Sequence, residues 1–230
     1  MKAWFEPILD VGTMRVVAAE AVPRWESPQH GTLMGTERLG PMLQPDAEAA
    51  MARAVAQSAL ASGGLWRQMG WRGHIVIPLG SALLRSDDFW PALSEAIKKN
   101  GVTGTTGCVI PGSAFTTDGP RAAFAIARAA MDGVGMTIRV TRAADLDAIG
   151  VVAACNVVTC PAGWVDGQPD ALNSLRDIAG RIGATVGVTG VTDAAMLAKL
   201  GTAGIRRAQG PAIGLPASAA DTYEAHLAPR

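Results

Sequence analysis

Trp4-Phe-Glu-Pro-Ile-Leu-Asp-Val-Gly-Thr-Met-Arg-Val-Val-Ala-Ala-Glu-Ala-Val-Pro-Arg-Trp25 decides how the rest of the chain is read. Phe5 to Val11 is apolar and tolerant of extended backbone, Gly12-Thr13 signals a turn, and Met14 to Val22 is apolar again. Two short strands are expected. Glu20 stands alone among Ala and Val near the end of the second. A carboxylate there is costly to bury unless something pairs with it, and Arg24, four residues on, is the available partner in sequence.

Beyond this stretch, 230 residues give enough chain for one large domain, and we read residues 1–230 as one. Hydrophobic residues make up 49% and aromatic ones 5%, a composition that suits a tightly packed α/β protein. Lysine plus arginine and aspartate plus glutamate number 20 each, so the net charge is zero. Nothing draws the chain to nucleic acid or to a membrane surface. No uninterrupted apolar run is long enough to span a bilayer, and the N-terminus lacks the pattern of a signal peptide. Cys108, Cys155 and Cys160 have no metal-ligand spacing. They read as buried thiols in a reducing cytoplasm.

The remainder alternates. Gly31 to Gln44 reads as a loop, and a helix is expected from Pro45 to about Ser62, stopped by Gly63-Gly64. Leu65 to Gly73 then reads as a connection carrying Trp66 and Trp71. Strands are expected at His74–Leu79, Gly107–Pro111, Met136–Thr141, Asn156–Cys160, Ala184–Thr189 and Gly204–Ala208. Helices fall between them: from Asp87 or Asp88 to Asn100, from Asp118 or Pro120 to Met131, Ala143–Ile149, Pro169–Ile182 and Thr192–Leu200. Ala217–Leu227 forms a last one. Short apolar strands separated by helices imply a parallel sheet covered on both faces. With the opening pair there are about eight strands, the number that closes a barrel. An open doubly wound sheet is the alternative, and it lacks a glycine-rich phosphate fingerprint after the first strand.

The opening stretch resembles that of the EAL domain family, bacterial cyclic di-GMP phosphodiesterases. Their aromatic-Gln-Pro-Ile strand reads here Phe5-Glu6-Pro7-Ile8, and their Glu-Ala-Leu-Leu-Arg-Trp reads Glu20-Ala21-Val22-Pro23-Arg24-Trp25. The order of motifs holds from residue 5 to 216. The closing Gln-Gly-aromatic-x-x-Gly-x-Pro survives in part as Gln209-Gly210-Pro211-Ala212-Ile213-Gly214-Leu215-Pro216. The resemblance implies an α/β fold, a modified TIM-like (β/α)8 barrel of EAL type, with its first strand irregular or antiparallel.

The chemistry of the family is not matched in the same way. Its Val-Asn-Leu-Ser strand end is Ile77-Pro78-Leu79-Gly80 here, and its Glu-Ile-Thr-Glu segment aligns with Val109-Ile110-Pro111-Gly112. Its Asp-Asp-Phe-Gly becomes Thr141-Arg142-Ala143-Ala144, and the lysine of its Lys-Ile-Asp becomes Thr159. Both glutamates of its Ala-Glu-Gly-Val-Glu strand become threonine, Thr189 and Thr192. Of the metal and base positions only Glu20 remains. One carboxylate does not make a magnesium or calcium site, which needs several convergent oxygens.

We therefore expect no phosphodiesterase activity, no catalytic residues, no metal site and no cofactor. The resemblance leaves Glu20, Arg24, Arg142 and Gln209 as ligand-binding candidates, since a guanidinium suits phosphate and Gln209 suits a base edge. Arg139, Arg142, Arg206 and Arg207 read as ordinary solvated charge, with a basic rim at the barrel mouth as the alternative. The expected role is a degenerate EAL-like signalling regulator working through a protein partner, with homodimerisation open. The alternative is a receptor that binds cyclic di-GMP without cleaving it. A different enzyme on the same frame would need a base beside a nucleophile, and none is seen. His30, His74 and His226 are scattered and have no spaced acidic partner.

Overall fold

A computed structural model describes residues 2–27, 31–35, 44–84, 86–150, 152 and 155–228. Its opening is a hairpin, β1 (Lys2–Asp10) against β2 (Arg15–Ser27), in antiparallel register. The turn falls at Gly12-Thr13-Met14, as the sequence suggests. Asp10 secures it by accepting from the Thr13 backbone N–H at 2.9 Å and from its hydroxyl at 3.0 Å. These bonds, the backbone one foremost, hold the Asp10 carboxyl below the ordinary carboxylate range.

Seven further strands follow: β3 (Gly31–Met34), β4 (His74–Pro78), β5 (Thr106–Pro111), β6 (Gly135–Arg139), β7 (Val157–Pro161), β8 (Thr185–Thr189) and β9 (Arg207–Gln209). Strands β2 and β4 to β9 pair in parallel, each with the next. β1 pairs antiparallel with both β2 and β9 and so closes an eight-stranded barrel, with β3 attached outside to β2. The barrel is therefore of the expected kind, and its first strand is the antiparallel one.

The helices are α1 (Pro45–Gln68), α2 (Ser81–Leu84), α3 (Phe89–Lys99), α4 (Ser113–Met131), α5 (Leu146–Ile149), α6 (Trp164–Gly167), α7 (Pro169–Ile182), α8 (Ala194–Thr202) and α9 (Ala219–Thr222). Alternation sorts the strand residues by face. Ile75, Ile77, Cys108, Ile110, Ile138 and Val158 are all but fully buried in the main core, where they meet the helices. Ala18, Val76, Val109 and Ile8 form a smaller cluster of their own inside the barrel.

Four expectations are corrected. Helix α1 does not stop at Gly63-Gly64 but runs on to Gln68. A Cβ on Gly63 would lie 2.5 Å from the Ile75 side chain, and one on Gly64 would lie 2.6 Å from the Asn100 carbonyl. The glycines permit close helix packing, and that packing overrides their poor helix propensity. Leu65 to Gln68 is consequently helix. Trp66 is buried there, donates to the Ala219 carbonyl at 3.2 Å and packs edge-on against Phe5 and Trp71. Gly31 to Met34 is a strand because β2 extends beyond the barrel and offers an edge. Of the rest of the expected loop, residues 36–43 lie outside the described residues, as does His30. Helix α4 begins at Ser113, before the expected Asp118. The expected start survives as a kink, where Asp118 leaves helical backbone and accepts from the Arg121 N–H at 3.3 Å.

Candidate functional site at the barrel mouth

Glu6 and Glu20 are directly opposed across the β1–β2 hairpin. Directly opposed residues point to the same side of a sheet, so both carboxylates face the barrel interior. Glu20 is 4% exposed. Arg139, at the last position of β6, reaches across the barrel to it. Its Nη1 donates to Glu20 Oε1 at 2.9 Å, and its Nη2 donates to Glu20 Oε2. The same Nη2 lies 3.4 Å from Gln209 Oε1, while Gln209 Nε2 donates to Glu6 Oε2 at 2.9 Å. Four side chains from four strands thus close a ring of charge and hydrogen bonds.

Two carboxylates share one guanidinium in this ring, and the cost falls on Glu6. Burial, and next the neighbouring Glu20 charge, push its carboxyl up to about 7, against the lowering effects of Gln209 and Arg139. Near neutral pH Glu6 is therefore a mixture of acid and carboxylate. Glu6 is the site residue that the sequence reading overlooked. The signal was present: Glu6 and Glu20 lie seven residues either side of Thr13, so a hairpin turning there must oppose them.

The other candidates sit elsewhere. Arg24 does not pair with Glu20. Four residues along a strand span about 13 Å, and Arg24 lies instead with its guanidinium 3.7 Å from the centre of the Trp4 ring. Arg142 is held by the nearly fully buried Asp145, with Nη2 to Oδ1 at 2.6 Å and Nε to Oδ2 at 3.3 Å. It is committed to its own turn and does not join the ring. The alternative of one basic rim made by four arginines does not hold. Arg206 and Arg207 lie where β9 begins, at the opposite end of the barrel, 3.9 and 2.8 Å from Asp10. Only Gln209 of the other candidates meets Glu20's group, through Arg139. Gly210 follows it with φ 145°, and a Cβ there would lie 2.3 Å from the Val191 N, so only glycine lets this strand end pass.

A divalent ion does not fit these residues. Both oxygens of Glu20 are engaged by Arg139, and a guanidinium occupies the place a cation would need. Strands β4, β5 and β7 end on Pro78, Pro111 and Pro161, which present no ligand. Among the described residues no three His, Cys, Asp or Glu side chains gather to hold a metal. The cysteines offer no alternative chemistry. Burial pushes the thiols of Cys108 and Cys160 up to about 12 and that of half-buried Cys155 up to about 11. No described helix is long and apolar enough to cross a membrane.

Comparison with known proteins adds three findings. The family model described as "EAL domain" matches residues 1–216. No curated protein sequence matches. Among solved structures, the cAMP- and cyclic di-GMP-bound form of the EAL enzyme Bd1971 is similar, with TM-score 0.84 and 16% identity over 97% of this chain. The present chain spans 64% of that protein. The EAL domain of Mycobacterium smegmatis DcpA is similar with TM-score 0.76, 19% identity and coverage of 97% of this chain and 96% of that one. The Xanthomonas citri FimX EAL domain in complex with c-diGMP gives 0.78 and 15%, with 94% and 87% covered. At these identities the likeness is one of fold.

Proposed function

The chain belongs to the EAL domain family, and from that premise we propose that it is a member that does not hydrolyse cyclic di-GMP and acts as a signalling regulator through a protein partner. The observation that carries this reading is the two-point engagement of Glu20 by Arg139. The one carboxylate kept from the family's motifs is neutralised by its own fold and has no oxygen to give a metal. Activation of water by a bound ion needs an open coordination position and several oxygen ligands. Among the described residues no lysine stands at the C-terminal strand ends, and Glu6 and Glu20 are both held by hydrogen bonds, to Gln209 and Arg139 respectively, and are not free to serve as base. A frame with its reactive groups paired internally retains its outer surface for contact with another protein.

The test is incubation of the purified chain with cyclic di-GMP and Mg²⁺, Mn²⁺ or Ca²⁺, with separation of the linear dinucleotide. No product is expected with any ion. Metal-dependent turnover abolished by Glu20→Gln would overturn the reading. A second reading, binding without hydrolysis, is favoured by Arg142. Its side chain is 64% exposed despite the bond to Asp145 and keeps a charged face toward solvent. Calorimetric titration with cyclic di-GMP separates the two. Heat without product, lost in Arg142→Ala, supports the receptor. No heat leaves the protein-contact role, which is then pursued by metal-independent pull-down of partners.

A further inference from the structure

TIM-type barrels fill their interior with layers of side chains, but this barrel is filled at one end only. Beneath the Glu20–Arg139 pair lies a cavity of about 520 Å³. Its lining includes Gly107, Gly135, Thr137 and Thr185, which place little or no side chain inside. The lining residues at the N-terminal rim, His74, Gly104, Gly133, Asn156 and Gly183, are exposed, whereas Glu20, Thr159 and Gln209 at the inner end are buried. The cavity therefore opens at the end of the barrel away from the mouth.

Its walls are of two kinds. The apolar cluster of Ala18, Val76, Val109 and Ile8 makes one side. On the other, Thr159 lies in register with two arginines, one on the adjacent strand and one two strands away. Its register neighbour on β6 is Arg139, and on β8 it is Gly187, whose own neighbour on β9 is Arg207. A Cβ on Gly187 would lie 2.8 Å from the Arg207 Cβ and 3.2 Å from the Thr159 Cγ2. Glycine at this position leaves the space between those two side chains open. The Thr159 hydroxyl is buried and has no hydrogen-bond partner among the described residues. Buried hydroxyls are ordinarily bonded. At the rim Arg206 and Arg207 share a single carboxylate, Asp10, which leaves an excess positive charge there.

We propose that this cavity is a binding site for a compact organic anion that enters from the N-terminal end of the barrel. Its carboxylate or phosphate lies against Thr159 and Arg207, and its apolar body lies against Val76 and Val109. The volume is within the range of small-molecule sites. The cavity shares Glu20, Arg139 and Gln209 with the inner side of the mouth, and it is entered from the opposite end.

The test is calorimetric titration of the full chain with benzoate, with benzamide as the uncharged analogue and acetate as the charge without a body. Saturable benzoate binding is expected, with both analogues at least about tenfold weaker. Thr159→Val keeps the shape and removes the hydroxyl. It should weaken benzoate about tenfold while raising Tm, because an unpartnered buried group is lost. Thr137→Leu enlarges a lining side chain and should block binding. If that variant fails to fold, Thr159→Val alone decides. Absence of saturable heat, equal affinity for benzamide, or unchanged affinity in Thr159→Val overturns the proposal.

Discussion

At the C-terminal end of the barrel Glu6, Glu20, Arg139 and Gln209 fill the interior with bonded charge, whereas toward the N-terminal end Gly107, Gly135 and Thr137 line a cavity of about 520 Å³. The first region has polar groups that bond one another; the second has space, and at its inner end the Thr159 hydroxyl has no hydrogen-bond partner among the described residues. A side chain's chemical type does not make it available. Glu20 is a potential metal ligand by type, yet its Coulomb partner is already in place, and replacing that partner by an ion would leave Arg139 with its own charge to satisfy.

The contrast is most sharply broken by Arg139→Met. Removing one member of a buried pair leaves an uncompensated charge, here Glu20 opposite Glu6. A loss of about 3–5 kcal/mol is expected in urea denaturation at pH 8. Adding Glu20→Gln should return most of it. A single variant with unchanged midpoint would mean that the pair does not hold the mouth together.

The pH dependence comes next. The Glu6 carboxyl is raised in the folded protein from 4.5 to about 7. The folded state therefore holds the proton more tightly than the unfolded one. Glu6's contribution is greatest below pH 4.5, declines between 4.5 and 7, and is lost above 7. The full decline is on the order of 3 kcal/mol, at about 1.4 kcal/mol per unit. Glu6→Gln should flatten stability across that window and raise it at pH 8, as read by denaturation at several pH values. A wild-type profile in this variant would break the assignment.

Thr159→Val sharpens the other side of the comparison. Deleting an unpartnered buried hydroxyl should stabilise by about 1 kcal/mol, measured in the same way, where a hydroxyl at the bonded mouth would cost stability instead. Arg24→Met carries the smallest effect. It removes the guanidinium over Trp4, and a loss of about 0.5–1 kcal/mol is expected, with a change in tryptophan fluorescence. A larger loss would mean that Arg24 also supports the ring below it.

Local pattern was sufficient for much of the fold. The Gly12-Thr13 turn, the apolar strands and the Pro169–Ile182 helix follow from turn chemistry and periodicity, which depend on neighbours in sequence. Gly63-Gly64 was misleading because the reason for those glycines is Ile75 and Asn100, which approach only in the folded chain. The site divides in the same way. That Glu20 is a lone acid on an apolar strand and that Pro111 ends another strand can be read from the order of residues alone. That Glu20 belongs to Arg139, 119 positions away, and that Glu6 shares its charge are decided by barrel closure, which sets residues from different strands side by side. The cavity too is a tertiary fact. Scattered glycines and threonines carry no local signal, and only the register of six parallel pairings stacks their missing side chains into one space.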